Sequence, residues 1–134
     1  MIVFPAAVRE TLVAEAREGA PAEICGVLGG EFDADWSHVR SSHPTENVAE
    51  KPRTRYRIDP EEALEVFERL ESRGEEIVGF YHSHPDGPPK PSETDRESAT
   101  WPDRSYVIVS LSPLEVGSWR WRDGRFERET IALE

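Results

Sequence analysis

The chain has 134 residues, with 27 acidic against 16 basic side chains, a formal charge of −11 and an isoelectric point near 4.8. That charge balance argues against a nucleic-acid or anionic-membrane partner, and no apolar run approaches the roughly 20 residues of a membrane span. One cysteine, Cys25, excludes an internal disulfide framework, and Met1-Ile2-Val3-Phe4-Pro5 carries no basic or apolar leader, so a cytoplasmic protein is expected.

The length predicts one domain over residues 1–134, and 37% hydrophobic residues suffice for one core. The first helix is predicted from Pro5 to Glu18, with Val8, Leu12 and Ala16 on one face and Gly19 and Pro21 as its stop. Ile24 to Leu28, closed by Gly29-Gly30, reads as a strand, and a second is expected from Trp36 to Ser41. Ser42 to Pro52 carries Pro, Asn and charges and is expected to be a mobile loop. Arg53, Arg55 and Arg57 alternate with Thr54, Tyr56 and Ile58, the pattern of a strand with one basic face.

Asp59 as N-cap, Pro60 at the first helical position and Glu62 as the partner of a capping box start a second helix, which Gly74 ends. Ile77 to Tyr81 is apolar throughout, as in a strand buried on both faces. A Pro-rich loop from Pro85 to Pro91 precedes a short helix beginning at Ser92, and Tyr106 to Leu111 is another strand. The chain closes on a hairpin with Asp123-Gly124 as its turn and Trp119 and Trp121 on one face of the first arm. Helices interleaved with five or more strands make the fold class α/β or α+β, with a central mixed sheet.

The chemistry sits in His82-Ser83-His84-Pro85, six residues, then Ser92-Glu93-Thr94-Asp95. Two histidines at i and i+2 on an extended chain project to one side, so their imidazoles can converge on one ion. Asp95 offers a carboxylate, and three protein ligands leave a tetrahedral ion one open position, as a catalytic zinc needs. A separate carboxylate must then carry the proton from water to the leaving amine. Each piece alone has a plainer explanation. His-x-His is most often two polar residues at a strand end, and Ser92-x-x-Asp95 is an ordinary helix-capping box. The capping reading is compatible with the metal reading, because a fixed helix start aims the aspartate.

The combination resembles the JAMM motif of the MPN-domain metalloproteases, H-[ST]-H-P-x6-S-x-x-D with an upstream glutamate, here Glu23 in Pro21-Ala22-Glu23-Ile24-Cys25-Gly26-Val27-Leu28-Gly29-Gly30. The resemblance implies a cytidine-deaminase-like MPN fold, a mixed sheet flanked by helices. It also implies one zinc per chain held by His82, His84 and Asp95, with water as the fourth ligand. Glu23 becomes the general base and acid, and Ser92 a donor to the oxyanion. The implied activity is hydrolysis after the C-terminal Gly-Gly of a ubiquitin-like or sulfur-carrier β-grasp protein, in deconjugation or precursor processing, by a monomer or homodimer. Two related readings compete: a non-catalytic MPN scaffold, against which all five functional positions speak, and a RadC-like protein linked with DNA metabolism, which Ser83 and the acidic surface disfavour.

Other residues carry less. Cys25, two positions from Glu23, is expected to be a buried structural thiol, although a regular strand would point it at the same site. His43-Pro44 lacks a second ligand and falls in the expected loop, and His38 has no partner. Trp119 and Trp121 are expected to pack, and the arginine face to be solvated, with an acidic partner as the other reading.

Overall fold

Val27, Val78, Val107 and Val109 are wholly shielded from solvent, and the strands that carry them lie side by side at the centre of a single sheet. The computed structural model describes residues 1–134. Its strands are β1 (Ile2–Phe4), β2 (Cys25–Glu31), β3 (Ser37–Thr45), β4 (Glu76–His84), β5 (Ser105–Leu111), β6 (Leu114–Arg122), β7 (Arg125–Glu129) and β8 (Ile131–Leu133). They run in the order β7-β6-β5-β4-β2-β3-β1-β8. The sheet is mixed: β4 with β5, β1 with β3 and β1 with β8 are parallel pairs, and the other neighbours are antiparallel.

Helix α1 (Ala6–Gly19) covers one face, where Leu12, Val13 and Ala16 pack with Leu28, Val39, Tyr81 and Val107. Helix α2 (Pro60–Ser72) and the short α3 (Glu93–Ser98) belong to the other, where Val66, Leu70 and Ala99 meet Val27, Phe80 and Tyr106. The register between β2 and β4 steps from Leu28↔Gly79 to Gly29↔Ile77, leaving Val78 as an extra residue. This bulge lets Val78 and Tyr81, three apart, both face α1. Beyond it, alternation sends Phe80, His82 and His84 to the α2 and α3 face.

Gly74, in the left-handed region at φ 69°, follows α2, and Asp123 and Gly124, at φ 51° and 73°, turn the β6–β7 hairpin. Trp121 pairs with Phe126 across that hairpin and packs edge-on against its ring, while Trp119 is buried.

Three expectations are corrected. The segment expected to be a loop from Ser42 starts as strand: β3 runs on to Thr45, because His43 buries its ring and Ser42 pairs with Leu28. No strand forms over Arg53–Ile58. Thr54 and Arg55 donate to the Lys51 carbonyl in a turn, and the Asn47 side chain takes the Arg55 carbonyl and Arg57 N–H that a partner strand would use. Only one bridge, Asn47 to Ile58, remains. Finally, Glu62 does not close a box on Asp59. Asp59 accepts from the Glu61 N–H, whereas Glu62 reaches across to the Glu46 N–H at 2.5 Å.

Candidate metal centre

The last residues of β4 bring His82 and His84 to within 3.1 Å of each other, Nε2 to Nε2. Asp95, in the first turn of α3, sets Oδ1 3.2 Å from His82 Nε2 and Oδ2 3.0 Å from His84 Nε2. Ser92 caps α3 reciprocally: its Oγ accepts from the Asp95 N–H at 3.0 Å, and its own N–H donates to Asp95 Oδ2 at 2.9 Å. The capping reading of this box therefore holds, and the cap aims the carboxylate at the histidines. Glu23, just before β2, offers a carboxylate oxygen to the same centre, within 4.8 Å of the ring nitrogens of His82 and His84.

The residues that converge are almost all acceptors. His84 Nδ1 lies 2.9 Å from the Pro88 carbonyl, which can only accept, so Nδ1 carries the ring proton and Nε2 turns a lone pair inward. His82 Nδ1 and Glu23 Oε1 are buried without a hydrogen-bond partner. Two imidazole nitrogens and a carboxylate pressed together in a buried site need a cation or an extra proton between them. This donor set suits zinc, which takes nitrogen and carboxylate ligands and tolerates three protein groups.

The protons respond accordingly. Burial lowers the pKa of His82 despite the pull of Asp95. For His84, burial acts downward, but Asp95, the Pro88 carbonyl and Glu23 outweigh it and raise the value. Burial works upward on Asp95, yet the two imidazoles and the Ser92 N–H hold its carboxyl well below the usual carboxylate range. Glu23 lacks such donors: burial, opposed by His84 and aided by Asp95, pushes it up to about 7. Burial thus prevails at Glu23, and the hydrogen bonds prevail at Asp95.

Tyr56 and Asn47, outside the motif, and Ser83, within it, arrange this site. Tyr56 stacks on the His82 ring at 4.2 Å between centroids. Asn47 Nδ2 donates to the Glu23 and Arg55 carbonyls while its Oδ1 accepts from Ala49 and Arg57, fastening the Tyr56 segment to the start of β2. Ser83 Oγ accepts from the Ile24 N–H at 2.9 Å, tying the strand of the histidines to the neighbour of Glu23. For Tyr56 the sequence signal is one aromatic ring among four cations; Asn47 carries none.

The residues set aside behave as packing groups. Cys25 is buried, its Sγ 3.5 Å from Thr45 Oγ1, and burial pushes the thiol up to about 11, far from a thiolate. His43 is held between Arg69 and Ser41, with Ser41 donating to Glu75. His38 stacks on Trp36.

A family described as prokaryotic homologs of the JAB domain matches residues 5–123. The chain belongs to this family. The JAB domain here is 45% identical over 130 residues to a desampylase from Haloferax volcanii, covering 94% of this chain and 91% of that one. It is 37% identical over 134 residues to a CysO-cysteine peptidase from Mycobacterium tuberculosis, covering 98% and 90%. A probable TtuB-protein conjugate cleaving protease from Thermus thermophilus is 33% identical over 116 residues, 87% of this chain and 74% of that one. The JAB fold extends to the solution structure of a Desulfitobacterium hafniense protein, with a TM-score of 0.91 and 33% identity over 100% of this chain and 93% of that one. A Salinibacter ruber protein follows at 0.75 and 31%, covering 98% and 90%.

Proposed function

We propose that this chain, acting as one catalytic domain, is a zinc-dependent isopeptidase or peptidase that hydrolyses the bond after the C-terminal Gly-Gly of a ubiquitin-like or sulfur-carrier β-grasp protein. The observation that carries this reading is the buried convergence of His82 Nε2, His84 Nε2 and the Asp95 carboxylate within 3.2 Å. The names of the relatives, which specify a CysO-cysteine peptidase and a TtuB-protein conjugate cleaving protease, support a protein conjugate as substrate.

In this reading His82, His84 and Asp95 hold one zinc per chain. The ion supplies a water of lowered pKa and polarises the scissile carbonyl. Glu23 receives the proton of the attacking water at its unpartnered Oε1 and passes it to the leaving amine nitrogen. Ser92 Oγ accepts from Asp95, so its own O–H stays available for the oxyanion. The Pro88 carbonyl keeps His84 in the tautomer that turns Nε2 inward.

The test is metal analysis of the purified chain, followed by cleavage of a fusion in which Gly-Gly of a β-grasp domain is joined to a lysine. One zinc per chain, with cleavage abolished by a chelator and restored by zinc, is expected. Cleavage that persists in the fully demetallated protein would overturn the reading.

A further inference from the structure

Lys51, Arg53, Arg55 and Arg57 place four cations within seven residues, with no acid among them, on a chain of net charge −11. All four are exposed, and none is joined to a carboxylate. Three of them, Lys51, Arg55 and Arg57, rim a groove of about 930 Å³ whose floor includes Phe67, Phe80, Trp101 and Tyr106, and Arg53 lies between them in the chain. Tyr56, whose ring covers His82, is also part of its lining. On the other side the groove reaches Thr94, the neighbour of Asp95. The rim is fixed in place rather than trailing, because Asn47 bonds to the backbone of Ala49, Arg55 and Arg57 and to that of Glu23.

We propose that the 51–57 rim is the docking surface for an acidic polypeptide, namely the carboxylates that flank the diglycine tail of the cleaved partner. The inference rests on the proposed function and adds the charge of the substrate to it. Unpaired cations beside the site attract an acidic chain at that one spot while the rest of the acidic surface repels it, so they steer as well as hold. Glu50 and Glu97 also line the groove, so the partner's carboxylates belong on the rim and its uncharged residues inside. A nucleic-acid strand fits less well: its charge recurs at every nucleotide and would meet Glu50, Glu97 and the glutamates of α2, whereas the few carboxylates of an acidic segment can all lie on the rim.

Two fluorogenic peptides, Ac-Asp-Asp-Asp-Leu-Gly-Gly-aminocoumarin and its Lys-Lys-Lys counterpart, test this with the zinc-loaded full chain. The acidic peptide is expected to have kcat/KM roughly tenfold higher at low salt, the scale of three or four exposed ion pairs. The gap should shrink at about 0.5 M salt, where screening shortens to a few ångströms. The triple variant K51E/R55E/R57E, checked for zinc content and circular dichroism, should invert the preference. Equal kcat/KM for the two peptides in the unmodified protein would overturn the proposal, whether or not the variant folds. If neither peptide is cleaved, the isopeptidase reading is in question, and anisotropy binding of the same peptides decides the rim separately. The acidic peptide binding more tightly supports it, and equal binding overturns it. A single-stranded oligothymidylate that displaces the acidic peptide from the rim at lower concentration would assign the surface to nucleic acid instead.

Discussion

His84 is restrained at both ring nitrogens, by the Pro88 carbonyl on one side and Asp95 on the other, and such doubly held imidazoles lose little freedom on taking a metal. Replacing His82, His84 or Asp95 with Ala should therefore sharply reduce zinc retained through dialysis, measured by metal analysis. A fully loaded His84→Ala protein would remove that residue from the ligand set. Ser92→Ala should keep most of its zinc and lower turnover about ten- to a thousandfold, the range for one oxyanion donor. Ser92→Thr, which retains both cap and hydroxyl, should recover much of that rate. The convergence of His82, His84 and Asp95 was legible in the sequence because a short window, Ser92 to Asp95 after His-Ser-His-Pro, makes that geometry almost local, whereas Glu23 came only from the family resemblance. Tyr56 and Asn47 were not legible. Their roles arise from contacts to β4 and β2 that no local pattern encodes, and the alternation of Arg with Thr, Tyr and Ile imitated a strand.

Helix α2 is held by its apolar stripe, with Leu70 and Val66 buried on the sheet beneath the groove. Leu70→Ala should cost about 2–5 kcal/mol in urea unfolding, the range for a buried leucine left as a cavity. Asp59→Ala should cost about 1 kcal/mol, through loss of the bond from the Glu61 N–H. Elements with a strong period or clear punctuation were readable: α1 and α2 by their stops at Gly19 and Gly74, and β4 by its unbroken apolar run. β1 and β8 have three residues each, too few to show alternation, and both depend on partners far away in sequence. The end of β3 was missed because polar His43-Pro44-Thr45 hides one inward histidine whose ring is satisfied only by Arg69 and Ser41.

Across the molecule, Arg120 and Glu129 bind the two ends of the chain together. Arg120 is buried and donates to Glu129, to the carbonyls of Met1, Asp33 and Asp103, and to Ser37 Oγ. Glu129 also accepts from Ser105 and Ser118. Burial acts upward on its pKa, but those three side chains prevail and lower it. A carboxyl with a depressed pKa in the folded state stabilises above its unfolded value of about 4.3, and that contribution fades as pH falls toward the folded value. Glu129→Gln should therefore destabilise by about 3 kcal/mol at neutral pH, and the gap to the parent should narrow below about pH 4 in urea titrations.

The same long-range assembly brings Glu23 to the histidines, since the β2–β4 pairing, Cys25 beside His82, and the bond from the Ile24 N–H to Ser83 Oγ join the two segments. The most direct measurement is zinc content and cleavage of the Gly-Gly-linked fusion in Glu23→Gln, which keeps the shape of the side chain but cannot take up the proton. The account predicts a folded protein with one zinc and hydrolysis lowered at least about a hundredfold. Full zinc with near-normal hydrolysis would contradict it, and loss of zinc from an otherwise folded variant would make Glu23 a ligand rather than the base.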